Sequence, residues 1–207
     1  MTDSTTGGYL LQTTEALPGG VTLQQFIQRI ICGITGLGQT VVRPKWQVNP
    51  PKQLPNPEDN YCMFRVSIHK PDANAYLETY DETVIVEEVE TEISYTKMQR
   101  HEELAVLCSF YGSNCELNAA NLRDGFQVEQ NLAVMRTAKI GFKETSDSTY
   151  VPELHGQVWF PRCDITVYLR RQLNKTVEVL SVVGAEGTIQ GLQQSDEVIT
   201  TTWEVEE

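Results

Sequence analysis

The chain has 207 residues, 40% of them apolar, and a formal charge of -12. That length suits one domain with appendages, and that apolar share supplies a real core, which sets the chain apart from disordered proteins. The charge argues against wrapping nucleic acid, which needs clustered Lys and Arg to displace counterions, but it is compatible with a wall that repels passing DNA.

Residues 1–20 are polar and rich in Thr and Gly and read as a flexible arm; Met1–Gly8 lacks the basic start and greasy run of a secretory signal. From Thr22 the pattern becomes helical. Leu23, Phe26, Ile27, Ile30, Ile31 and Ile34 share one face, Thr22 and Gln25 have capping-box spacing, and Gly36 and Gly38 stop the helix. Asn49–Pro57 holds four prolines and is expected to be an extended surface connection. Cys62–Ile68 alternates as a strand. Val84–Tyr95 is a second strand region in strongly acidic surroundings, and Leu104–Tyr111, apolar on both faces, reads as a central strand. A hairpin turn is predicted near Met98–Glu102.

Ser113 and Glu116 repeat the capping-box spacing, opening a helix that Gly125 should end. A further helix is predicted over Glu129–Ala138, with Leu132 and Met135 inward, then a loop. Val158–Leu169 is the last clear strand, irregular at its Pro161 end, and Val177–Val183 is a candidate extension. Residues 184–207 carry acids and no Lys or Arg, so they read as a solvated tail that orders on assembly; Val198, Ile199, Trp203 and Val205 could form a strand against a partner.

A search for chemistry yields little. His69, His101 and His155 are scattered and match no metal motif. There is no hydrolase elbow and no phosphate-cradling loop. The five cysteines form no C-x-x-C pair, and an odd count leaves one unpaired; they read as small buried side chains in a reducing compartment. The acids Glu87, Glu88, Glu90 and Glu92 invite a metal-dependent nuclease reading. Glu92 and Lys97 are five apart, however, and point to opposite faces of a regular strand, so a solvated hairpin face is preferred. No catalytic, cofactor or metal residue is assigned, and no apolar run approaches the roughly 20 residues of a membrane-spanning helix.

A series of phrases then runs in order along the chain: Val42-Arg43-Pro44-Lys45-Trp46-Gln47, Asp72-Ala73-Asn74-Ala75-Tyr76-Leu77, Arg100-His101-Glu102, Phe110-Tyr111-Gly112, Leu122-Arg123-Asp124-Gly125 and Gln130-Asn131. Pro152-Glu153-Leu154, Arg162-Cys163-Asp164 and Tyr168-Leu169-Arg170-Arg171-Gln172 complete it. The set resembles the phage neck terminator family of tailed phages and prophages over Val21–Val183.

That resemblance implies an α+β fold, an antiparallel β-sheet packed against two to three helices. The expected division is an N-terminal arm (1–20), a terminator domain (21–183) and an acidic tail (184–207). It implies a structural virion protein with no enzymatic activity and no cofactor. The expected form is a ring, commonly of six copies, at the head–tail junction. There it joins portal or adaptor neck proteins to tail proteins around the DNA channel. The alternative is a head-tail adaptor or tail-tube subunit of the same particle. With that placement, Glu87, Glu88, Glu90 and Glu92 become candidates to line the channel, where negative charge lets DNA slide. Arg162, Arg170, Arg171 and Lys175 are either an ordinary basic surface or inter-subunit contacts that set register in a head-to-tail ring.

Overall fold

A computed structural model of the chain describes residues 11–46, 56–71, 74–86, 89–179, 185–192 and 198–205. The fold is α+β, with a mostly antiparallel sheet. In chain order come β1 (Thr13–Thr14), a 3-10 turn (Pro18–Gly20), α1 (Leu23–Thr35), β2 (Val42–Pro44), β3 (Tyr61–Pro71), β4 (Tyr76–Val86) and β5 (Val89–Tyr111). Then follow α2 (Cys115–Gly125), α3 (Glu129–Thr137), β6 (Ile140–Thr145), β7 (Thr149–Tyr150), β8 (Glu153–His155), β9 (Val158–Phe160), β10 (Arg162–Val179), β11 (Ala185–Leu192) and β12 (Val198–Val205).

The main sheet has the order β1-β10-β5-β3-β2. β4 also pairs with β5, and β6 and β7 pair with β10. Only β2–β3 among the pairs with a traced register is parallel. By contacts the chain forms two compact units. One comprises Thr14–Tyr76 and Met98–Lys175; the other takes in Leu77–Lys97 and the chain from Thr176 on. Within the second, β11 and β12 form an antiparallel hairpin in register from Ala185↔Val205 to Leu192↔Val198. The segment Val198–Val205 thus pairs within its own chain and needs no partner to become a strand.

The larger unit follows from parity. Cys62 and Phe64 on β3, Leu104, Val106, Cys108 and Phe110 on β5, and Cys163, Ile165, Val167 and Leu169 on β10 are all buried and lie on one face. Phe26, Ile27 and Ile31 of α1, Ala119 and Leu122 of α2, and Met135 of α3 cover that face in a single cluster. The capping box of α1 is formed as the sequence predicts: Thr22 N donates to Gln25 Oε1 at 2.9 Å and Gln25 N to Thr22 Oγ1 at 3.3 Å. Gly36 closes the helix in the left-handed region, its N–H donating to Cys32 O. All five cysteines are free thiols, four of them buried.

Several expectations are corrected. Met98–Glu102 is no turn but lies inside β5, which runs for 23 residues. Ser113 does not cap α2: Asn114 holds that position without a side-chain cap, and Ser113 Oγ reaches Glu58 O instead. α2 does end at Gly125, as expected, and packing also demands glycine there, since a methyl group would lie 2.2 Å from Ile34 Cγ2 of α1. The expected loop after α3 supplies β6, β7 and β8. Residues 11–20 of the expected arm are docked: β1 joins β10, Glu15 N donates to Asn174 O, and the Glu15 carboxylate bonds Lys139 and Asn174. Pro161 does break the last strand, separating β9 from β10, and β10 extends to Val179. Most of the proline-rich connection, residues 47–55, lies outside the described residues.

Candidate functional site

The turn after β5 organises one end of the larger unit. Gly112 has φ +97, and a Cβ there would lie 2.4 Å from Asp59 O, so both the backbone and the close approach demand glycine. Its N–H donates to Pro161 O, and Asn114 N donates to Asn60 Oδ1, which ties the turn to the starts of β3 and β10.

Beside this turn, residues of the opposite parity to the core emerge on the sheet face away from the buried cluster. Tyr61 and Tyr111 are register partners whose rings stack at 4.5 Å. Tyr111 Oη donates to Glu153 Oε2 at 3.0 Å. Arg162 binds Asp164 with two nitrogens, at 2.8 and 2.5 Å, and reaches Glu153 Oε2 at 3.1 Å with a third. Its guanidinium lies 5.8 Å from the centre of the Tyr111 ring. Lys45 Nζ donates to Ser109 Oγ at 3.2 Å, and the Ser109 hydroxyl bonds Asp164 in turn. His155 Nε2 sits 3.2 Å from Glu153 Oε1.

Each charge is held in its resting state. Burial pushes Asp164 up, but bonds from Arg162 and Ser109 and the charges of Arg162 and Lys45 outweigh it, so its carboxyl titrates below the usual range. Glu153 behaves likewise: burial is overcome by bonds from Tyr111 and Arg162 and by the nearby positive charges, and the net shift is downward. Burial, then the Glu153 charge, pushes the Tyr61 phenol up to about 12, and Tyr111 also moves up, chiefly through burial. Near neutral pH the carboxylates are ionised, the phenols protonated and the guanidinium charged. Such a set makes a lock between chain segments.

The phrases that carry the family likeness turn out to be the partners in such locks. Lys45, Tyr111, Glu153, Arg162 and Asp164 come from four of them and meet at this end. Glu102 and Arg171 come from two others and form an ion pair, with Glu102 only 2% exposed. Gly125 O accepts from Asn131 Nδ2 at 2.8 Å, joining two more. Tyr61 and Ser109 take part without any sequence signal beyond their strand parity.

Of the residues predicted as inter-subunit contacts, Arg162 and Arg171 are therefore engaged inside the chain, while Arg170 is exposed and Lys175 half-buried on β10. Glu87 and Glu88 lie outside the described residues, as do the side chains of Glu90 and Glu92. Among the described residues no three His, Cys, Asp or Glu side chains are grouped to hold a metal ion, and no helix is long and apolar enough to cross a membrane.

Next to the lock, β8 and β9 form a separate two-stranded sheet in which Leu154 pairs with Trp159. Glu153 and the buried Phe160 anchor it, yet Leu154, Val158 and Trp159 are exposed, Trp159 at 61%. Tyr150 and Val151 just before it are exposed as well. Leu154 and Trp159, as cross-strand partners, lie side by side on one face of this small sheet.

No protein with a curated description matches the chain. A family model described as phage neck terminator protein does match it, over residues 21–193. The match takes in α1 to α3, the strands from β2 to β11 and every lock described above. The chain thus belongs to the phage neck terminator protein family, and with it to the structural proteins of the phage neck.

Proposed function

We propose that this chain is one subunit of a closed ring of six copies that joins the head connector to the tail, with DNA passing through the ring without specific binding. The observation that supports this most is what the family-bearing residues do. They spend their chemistry on fastening strand to strand, and they leave an apolar hairpin and charged surface outside. In this reading the work is done by surfaces meeting portal or adaptor proteins on one side and tail proteins on the other, and no bond is made or broken. The protein is made in the bacterial cytoplasm and ends in the virion at the head–tail junction.

Subunits remain apart in solution because their net negative charges repel, and they assemble on a neck template where each docked copy raises the effective concentration of the next. Glu87, Glu88, Glu90 and Glu92 line the channel in this scheme. Replacing all four by Gln should slow DNA ejection, and ejection at the normal rate would remove that assignment. The ring itself is tested by deleting the gene and imaging the particles. Unjoined heads and tails, and a sixfold collar at the junction of complemented virions, are expected. Joined, DNA-filled, infectious particles from the deletion would end the proposal, and label repeating along the tail would favour the tube-subunit reading.

A further inference from the structure

We propose that the β8–β9 hairpin of one copy seats Trp159 in a cavity at the far end of β10 of the next copy, making a head-to-tail contact; this rests on the ring reading above. The cavity has a volume of about 280 Å³; Ala16, Leu17, Pro18, Ala138 and Leu173 supply its apolar lining, and polar residues including the Glu15–Lys139 ion pair supply the rest. It is of the size to take one large aromatic side chain, and the Glu15 carboxylate in its lining offers an acceptor for an indole N–H.

Three features point to a second copy of this chain as the occupant. First, knob and cavity lie at opposite ends of one strand. Cys163 of β10 pairs with Tyr150 beside the hairpin, and Asn174 bonds Glu15 beside the cavity. The eleven residue steps from one to the other span roughly 35 Å. Two unlike patches set apart on one rigid element are what a heterologous, ring-closing contact requires; a twofold contact would need one self-complementary patch. Second, the ends differ in charge. The hairpin end carries Glu58, Asp59 and Asp147 beside the lock, in which Arg162 and Lys45 stand against Asp164 and Glu153. The cavity end carries Lys139 and Arg171, held by Glu15 and Glu102, and has Arg170 and Lys175 on the same stretch of β10. Unlike charges across such a contact fix register and disfavour the reversed docking. Third, the hairpin is too small to be stable alone and is pinned by the Glu153–Arg162 lock, so Trp159 is presented on a firm base and binding costs little ordering.

The test uses virions carrying the full chain with Leu154→Cys, beside Trp159 on the same face of the hairpin, and Ala16→Cys together, and with each alone. After mild oxidation, a denaturing gel of the double variant should show a ladder of covalent multimers that neither single variant gives. Joined virions that contain the double variant but yield only single chains would overturn this contact and leave the ring reading standing. Deletion particles that are joined and infectious would overturn the ring reading itself. A second pair of variants covers failure to assemble. Trp159→Glu should lower phage titre at least 100-fold while the purified chain stays folded, and Trp159→Phe should stay within a few-fold of the parent. A normal titre with Trp159→Glu would also overturn the contact.

Discussion

The two faces of the main sheet in the larger unit are built from alternate residues of the same strands, and they solve different problems. Phe110 points into the dry cluster under the helices and Tyr111, its neighbour, into the polar lock. Cys163 lies in the core while Arg162 and Asp164, on either side of it, grip one another on the outer face. The dry face supplies non-directional burial, which holds the unit together but would tolerate other apolar side chains of similar volume. The outer face supplies directional bonds with fixed donors and acceptors, which add little net free energy and fix where the turn, the hairpin and β10 sit. Bulk stability and the placement of the turn and the β8–β9 hairpin are thus assigned to different faces of one layer.

The comparison breaks most visibly on the dry side. Phe110→Ala, at a fully buried position, should cost about 3–5 kcal/mol and show as a large fall in melting temperature or loss of soluble protein. In the helical layer over the same face, Gly125→Ala should cost about 2–3 kcal/mol, because the new methyl collides with Ile34. In an Ile34→Ala background the same change should cost much less in denaturant titrations, which isolates the contact as its cause. On the outer face, Arg162→Met should cost about 2 kcal/mol, less than a fully buried pair, because Glu153 and Asp164 keep some solvent.

That variant also carries a pH signature. The folded-state pKa values of Glu153 and Asp164 lie below their unfolded values. Their contribution is therefore complete above about pH 5 and is lost as pH falls through the folded values. Arg162→Met should flatten this acid dependence in urea melts taken between neutral pH and the acid limit. The smallest effect is expected at the margin. Lys139→Met removes an ion pair whose two side chains are 42% and 52% exposed, and it should shift stability by about 0.5 kcal/mol, less in high salt.

What could be read in the sequence was what is local. The α1 cap, its Gly36 stop, the alternation of β3 and the inward Met135 of α3 all follow from residues within a turn or two of each other. The continuation of β5 through Met98–Glu102 does not. That polar stretch looks like a turn, and it stays extended because Glu102 meets Arg171, sixty-nine residues away, and pairs in register with Pro71 of β3. The docking of residues 11–20 depends in the same way on Lys139 and Asn174. The candidate site was half legible. Arg162 and Asp164, two apart on a strand, were bound to share a face, which was a usable sign that they pair. The reach of Glu153 and Tyr111 into the same cluster needed the fold, and so did the exposure of Trp159 beside it.

The five thiols bear on how such a particle lasts outside a cell. Four sit in the dry interior and burial keeps Cys62 firmly protonated, the opposite of the thiolate state that air and peroxides attack. No sulfur is bonded to another, so reductants have nothing here to cut. The fold of the single chain owes its endurance to shape and packing, and the core around its four buried thiols holds whether the surroundings are oxidising or reducing.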